Sequence, residues 1–189
     1  ELERITGIIT ELEKLRQIEG ENMILHIGHV DIYELAKEVK LIFENEMSKK
    51  NIRCDIIGEH IDVCVDKDKM SQVLNNLISN AVKYSKDGGS VRIYTLHGSD
   101  DIKKNSKEDS LQLVIEDTGI GISEEDIPRI MERGFTGYNG RLDRKSSGIG
   151  LYLCRKAADR LGFVITFDAS YKNGTRVVID MTQRYTKHE

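Results

Sequence analysis

Apolar residues recur at steps of three and four in some stretches of this chain and alternate with polar ones in others, so helices and strands can be assigned from periodicity. Ile5, Ile8, Leu12 and Leu15 predict an amphipathic helix over the first twenty residues, with a break at Gly20-Glu21-Asn22. Such a stripe suits either a surface helix packed on its own domain or one helix of a coiled coil or bundle. Loose alternation over residues 24–30 predicts a short strand, with Asp31 placed to cap the helix that follows. That helix runs through Leu35, Val39, Ile42 and Phe43 to about Met47. Two short strands, Ile52 to Ile57 and Ile61 to Val65, precede a long helix opened by Asp66 or Asp68 and carrying Met70, Val73, Leu74, Leu77, Ile78 and Ala81 on one face, with its end near Gly88-Gly89. Strands Val91 to Leu96 and Leu111 to Glu116 flank a polar stretch, Ser99 to Ser110, that reads as a mobile connector. A helix from Ile149 to about Leu161 follows, then strands Phe163 to Ala169 and Thr175 to Met181 joined by a Lys172-Asn173-Gly174 turn. The order of elements predicts an α/β fold with about three helices on one face of a mixed, mostly antiparallel sheet.

Composition narrows the classes. The 189 residues carry 32 acidic against 28 basic side chains, a net charge of -4, which argues against a general nucleic-acid binder. Apolar residues at 39%, together with 16 glycines, match an ordinary globular domain able to bury a core. No apolar run is long enough to span a bilayer, and the acidic start lacks the layout of a signal peptide. Cys54, Cys64 and Cys154 are far apart and lie in apolar segments, which suits reduced core thiols. With one proline and no tryptophan, the loops must be shaped by glycine.

Three stretches carry chemistry beyond packing. On the long helix Asn76, Asn80, Lys83 and Tyr84 share a face opposite the apolar stripe. Such a face can simply meet water, but asparagine is a poor interior helix residue, whereas amide oxygens suit magnesium and a lysine suits phosphate. The second stretch is Glu116-Asp117-Thr118-Gly119-Ile120-Gly121-Ile122 at the end of a strand. It can be a mere strand-ending turn, or a carboxylate that accepts from an exocyclic amine beside glycines that admit a flat ring. The third, Ser147-Gly148-Ile149-Gly150-Leu151, opens a helix and exposes amide donors to an anion. Between the second and third, Arg133, Arg141, Arg144 and Lys145 lie among glycines with Phe135 and Tyr138, a composition suited to a lid over a polyphosphate or to a solvated loop.

In this order, the stretches resemble the N, G1 and G2 boxes of the ATP-binding superfamily that unites histidine kinases, gyrase, heat-shock chaperones and MutL. The N-box match is Asn76-Leu77-Ile78-Ser79-Asn80-Ala81-Val82-Lys83-Tyr84, the G1 match Asp117-Thr118-Gly119-Ile120-Gly121, the F-box match Gly134-Phe135-Thr136-Gly137, and the G2 match Gly148-Ile149-Gly150-Leu151. Resemblance covers roughly residues 24–182 and implies the two-layer Bergerat-type ATP-binding fold. It implies ATP and Mg2+ as cofactors. Asn80, with Asn76 beside it, would hold the metal against the triphosphate; Lys83 would contact phosphate, and Tyr84, Ile122, Phe135, Ile149 and Leu151 would line the nucleotide site. Asp117 would accept from the adenine amine with support from Thr175, Gly119 and Gly121 would flank the base, and Gly148 and Gly150 would offer amides to the phosphates.

Branches of the superfamily part at one position. The gyrase, chaperone and MutL branches carry a glutamate that activates water four residues before the metal asparagine; here that residue is Asn76, which cannot take a proton at neutral pH. The resemblance is therefore to histidine kinases, which pass the γ-phosphoryl group to a histidine on a dimerisation domain and then to a response regulator. It implies that residues 1–20 are the end of the second dimerisation helix and residues 21–189 the catalytic domain. The parent protein would be a homodimeric membrane sensor with this domain in the cytoplasm, and no nucleic acid partner is expected. None of His26, His29, His60, His97 and His188 stands in an H-E-x-x-x-P-like context, so the phosphoacceptor is not expected in this chain. His26 and His29 form an H-x-x-H pair, but strand residues three apart face opposite sides, which disfavours a metal site. Gly137-Tyr138-Asn139-Gly140-Arg141 and Lys145-Ser146-Ser147-Gly148 resemble the subgroup with short intramembrane sensors that responds to envelope stress or antimicrobial peptides. The alternative reading is a non-catalytic nucleotide-sensing module of the same fold.

Overall fold

A computed structural model describes Glu13 and residues 24–97, 110–137 and 147–184. The expected first helix, the polar connector over residues 98–109 and the lid positions Tyr138, Arg141, Arg144 and Lys145 lie outside the described residues. Strand β1 (Ile27–Asp31) leads into helices α1 (Ile32–Ile42) and α2 (Glu44–Lys49). Strands β2 (Arg53–Ile57) and β3 (Asp62–Asp66) precede the long helix α3 (Lys67–Tyr84). Then come β4 (Ser90–His97), β5 (Leu111–Asp117), helix α4 (Gly150–Leu161), β6 (Val164–Phe167) and β7 (Arg176–Asp180), with a short 3-10 turn at Thr182–Arg184.

The main sheet has five strands in the order β2-β4-β5-β7-β6; β2 pairs with β4 in parallel and all other neighbours are antiparallel. The expected sheet is thus present, but β1 and β3 stand apart as an antiparallel pair, Ile27 opposite Asp66 and Asp31 opposite Asp62. Both capping expectations hold: the Asp31 carboxylate accepts from the Glu34 amide at 3.1 Å and that of Asp66 from the Lys69 amide at 3.1 Å. Asp66 also accepts from the His26 amide at 2.8 Å, tying the chain just before β1 to the start of α3.

The helix expected through Phe43 to Met47 is broken instead. Phe43 takes φ -102° and ψ 3°, and its amide donates to Lys40 O at 3.0 Å, so a tight turn resets the face of the following helix. Met47 is buried by that turn, while Ile42, counted with the apolar stripe, remains 62% exposed. Cys154 is a core thiol as expected, and burial pushes its pKa up to about 12. Cys64 is not, because alternation along β3 turns Val63 and Val65 inward and leaves Cys64 on the outer face beside His29.

The core lies between the helices and one face of the main sheet. Met70, Val73, Leu74, Leu77, Ile78 and Ala81 of α3 are all buried there, with Cys154, Ala157, Ala158 and Leu161 of α4. They meet Val91 and Ile93 of β4, Leu113 and Ile115 of β5, and Val177 and Ile179 of β7. Residues of opposite parity form the other face. There register aligns Arg92, Glu116 and Arg176 in one row across three strands. Glu116, only 2% exposed, accepts from both arginines at 2.5 Å and from the Tyr94 hydroxyl at 2.7 Å, and Arg176 also donates to Asp168 at 2.9 Å. Burial pushes the Glu116 pKa up, but its Tyr94 and Arg176 hydrogen bonds and the two guanidinium charges outweigh that and hold it below its usual range.

Leu74 is fully buried on the central helix, so Leu74→Ala should destabilise the chain by about 3 kcal/mol, read as a lower urea midpoint with an unchanged slope.

Candidate functional site

Beside α3, at the end of β5, lies a cavity of about 250 Å³. The helix reaches it because its apolar stripe is spent on the core, leaving Asn76, Asn80, Lys83 and Tyr84 to line the opening. Asp117 and Thr175 line the same cavity from β5 and the start of β7, with Gly121 and Ile122 beyond the turn. Phe135, Gly148, Gly150 and Leu151 close it from the other side. Twelve of the residues expected from sequence therefore share one space.

Gly119 and Ile149 are absent from that lining. The amide of Gly119 donates to Asp117 Oδ1 at 2.8 Å, and its Cα lies against the Tyr84 carbonyl, so close that a Cβ would stand 2.4 Å from that oxygen. Ile149 packs with Tyr152 and Leu153 in a small cluster outside the main core. Both residues support the walls rather than form them. Asp126, Ser79 and Thr136 also line the cavity. Sequence periodicity did not single out Asp126 or Ser79, since neither falls at an apolar or a glycine-spaced position.

Asp117 is the buried charge of the site, 5% exposed. Its Oδ1 accepts from the Gly119 amide at 2.8 Å and the Thr175 amide at 3.2 Å, and the Thr175 side chain bonds to the same carboxylate. Burial dominates and raises its pKa, while these three hydrogen bonds pull the other way. The main chain is locked around it: the Asp117 amide donates to Thr175 O at 2.9 Å. Gly174 takes φ +151°, and a Cβ there would stand 2.0 Å from Asp117 O, so only glycine lets the two strands approach this closely. On α3, Asn76 Nδ2 donates to Gln72 O at 3.0 Å, while its Oδ1 faces the first residue of α4, Gly150. The Lys83 ammonium lies over the Tyr84 ring, 5.1 Å from its centre. A buried acceptor together with side-chain amides, an ammonium and a helix start in the walls of one cavity suits a ligand with a polar ring and an anionic tail. Among the described residues no group of three or more His, Cys, Asp or Glu is placed to hold a metal ion. Likewise, no described helix is long and apolar enough to cross a membrane.

The model for the histidine kinase-, DNA gyrase B- and HSP90-like ATPase family matches residues 65–184. Sensor histidine kinase GraS of Staphylococcus haemolyticus is 29% identical over 178 residues, covering 93% of this chain and 48% of GraS. Sensor protein BceS of Bacillus subtilis is 34% identical over 141 residues, covering 75% of this chain and 39% of BceS. The chain thus spans about half the length of these relatives or less. Among solved structures, full-length ShkA in complex with AMPPNP has a TM-score of 0.79 at 16% identity, covering 98% of this chain and 37% of ShkA. Histidine kinase ThkA in complex with response regulator protein TrrA has a TM-score of 0.76 at 21% identity, covering 98% of this chain and 49% of ThkA. At these identities the structures show a shared fold.

Because Asp117 has a raised pKa, the folded chain holds that proton more tightly than the unfolded chain does. Its contribution is fully favourable below the ordinary pKa of 3.8 and is lost as pH rises through the higher folded value, leaving the carboxylate a net cost at neutral pH. Asn can accept the same bonds without charge. Thermal unfolding of ligand-free Asp117→Asn should therefore show a higher midpoint than the unmodified chain at pH 7, with the gap closing as pH falls below about 4.

Proposed function

The chain belongs to the histidine kinase-, DNA gyrase B- and HSP90-like ATPase family, and from that membership we propose that it binds Mg-ATP in the cavity beside α3 as the catalytic domain of a sensor histidine kinase. The observation that carries the nucleotide reading is the buried Asp117 carboxylate in the wall of a cavity that Asn76, Asn80, Lys83 and the start of α4 also line. Asp117 accepts from the adenine amine, with Thr175 fixing the carboxylate. This selects adenine over guanine, whose equivalent position is itself an acceptor. Gly121, Ile122 and Phe135 enclose the ring, Lys83 meets phosphate oxygens, and Gly148 and Gly150 bring amides to the same charge. The donor set fits magnesium: Asn80 would hold it by a neutral amide oxygen, with Asn76 one turn away. When bound, the metal supplies charge neutralisation of the β- and γ-phosphates.

Phosphoryl transfer asks the protein mainly for positioning and charge stabilisation. Asn76 in place of a carboxylate leaves no general base one turn before Asn80, which favours delivery to a side-chain acceptor over water attack. The acceptor is a histidine on a dimerisation domain of the parent protein, which acts as a homodimeric membrane sensor and passes phosphate to a response regulator. The kinase reading draws support from the names of GraS and BceS, and the regulator reading from the ThkA complex.

Calorimetric titration tests the site. Asp117→Asn should raise the Kd for Mg-ADP about tenfold or more, through loss of a charge-assisted bond to the base. Asn80→Ala should remove most of the dependence of binding on magnesium, and unchanged titrations for both variants would sink the assignment. Incubated with γ-labelled ATP, the chain alone should retain no acid-labile phosphate, whereas a separately prepared dimerisation domain bearing the histidine should become labelled in its presence. A non-catalytic nucleotide sensor would bind but leave that domain unlabelled.

A further inference from the structure

The last four carbonyls of a helix have no partner within it and must find one elsewhere. At the end of α3 the accounting is complete. Ala81 O accepts from the Ser85 amide at 3.1 Å, and Tyr84 O accepts from the Ile120 amide at 3.2 Å. The other two, Val82 O and Lys83 O, are met by one side chain from a distant part of the chain: Lys50 Nζ donates to them at 3.0 and 2.8 Å, and to Ser85 O at 3.2 Å. No glycine cap is available to do this, since Ser85 leaves the helix in an extended conformation, φ -66° and ψ 145°. Lys50 is itself fixed. It ends α2, its own carbonyl accepts from Gly88 N at 2.8 Å, and the next residue, Asn51, takes φ 53° to turn the chain into β2.

The turn that Lys50 closes carries two cavity residues, Lys83 and Tyr84, and its final carbonyl is also the surface against which Gly119 packs at the foot of Asp117. A cation is the apt cap here. It supplies three donors from a point and opposes the negative end of the helix dipole. Lys50 does not line the cavity.

We propose that Lys50 is a positioning residue for nucleotide binding, holding the last turn of α3 so that Lys83 and Tyr84 present to the ligand in register with the Asp117 turn. This rests on the nucleotide reading above. Its class of action is indirect: the ammonium sets where Lys83 begins, and Lys83 meets phosphate.

The test is a double-mutant cycle on the full chain, with Mg-ADP as probe and each variant shown to be folded by its circular dichroism and thermal midpoint. Lys50→Met should raise the Kd about tenfold, and Lys50→Arg, which keeps charge and donors, should stay within about threefold of the unmodified chain. Combined with Lys83→Ala, Lys50→Met should add little further loss, because both act through one contact. A general structural role would instead lower the thermal midpoint with unchanged affinity, or multiply the two losses, and either result overturns the assignment. If Lys50→Met does not fold, Lys50→Gln, which keeps a neutral donor, takes its place in the cycle with the same criteria. No binding by the unmodified chain would overturn the nucleotide reading and Lys50 with it; binding that Lys50→Met leaves unchanged would overturn Lys50 alone.

Discussion

At the end of the central strand, the Asp117 carboxylate accepts from the turn that leaves β5 and from the residue that enters β7, so one side chain joins segments 58 residues apart in sequence. The β5–β7 pairing, the close approach of Gly174 to Asp117 and that of Gly121 to Gly174 all meet at that junction. It has a cost, since burial penalises the charge more than the surrounding amides relieve it. A fold concerned only with stability could place an amide there. An acid that lines the cavity is an acceptor suited to a ligand group that donates.

The neighbouring residue shows the contrast. Glu116 is as deeply buried as Asp117, yet alternation along β5 places it on the opposite face, between Arg92 and Arg176. There the charges are matched and the carboxylate stays ionised. Two adjacent acids thus take different parts: one ties three strands together on the outer face, and the other lines the cavity on the inner face with the Gly119 and Thr175 amides beside it.

Periodicity made much of this legible. The stripe from Met70 to Ala81 named the buried face of α3 and, by exclusion, the face that lines the cavity, because one helix cannot turn both faces to the core. Asp31 and Asp66 marked helix starts because a carboxylate satisfies orphan amides there. Other features were out of reach for physical reasons. That β1 pairs with β3 apart from the main sheet is a choice among equally plausible strand partners, and the break at Phe43 is a local turn with no glycine or proline to announce it. Cys64 looked like a core residue because its neighbours are apolar, whereas strand alternation, not neighbourhood, decides which way it points. Lys50 was invisible for a different reason: its value lies in carbonyls more than thirty positions away, and carbonyls leave no mark on a sequence.

The parallel pairing of β2 with β4 links the cavity to the order in which the chain assembles. Parallel neighbours need a crossover, and here the crossover contains β3 and all of α3. The sheet therefore cannot recruit β2 to its edge by a short hairpin; that strand docks across a loop whose closure requires the cavity-lining helix to be laid down between the two strands. Completing the edge of the sheet and placing the cavity-lining helix are thus coupled by topology, because the segment that joins β2 to β4 also contributes a wall of the cavity.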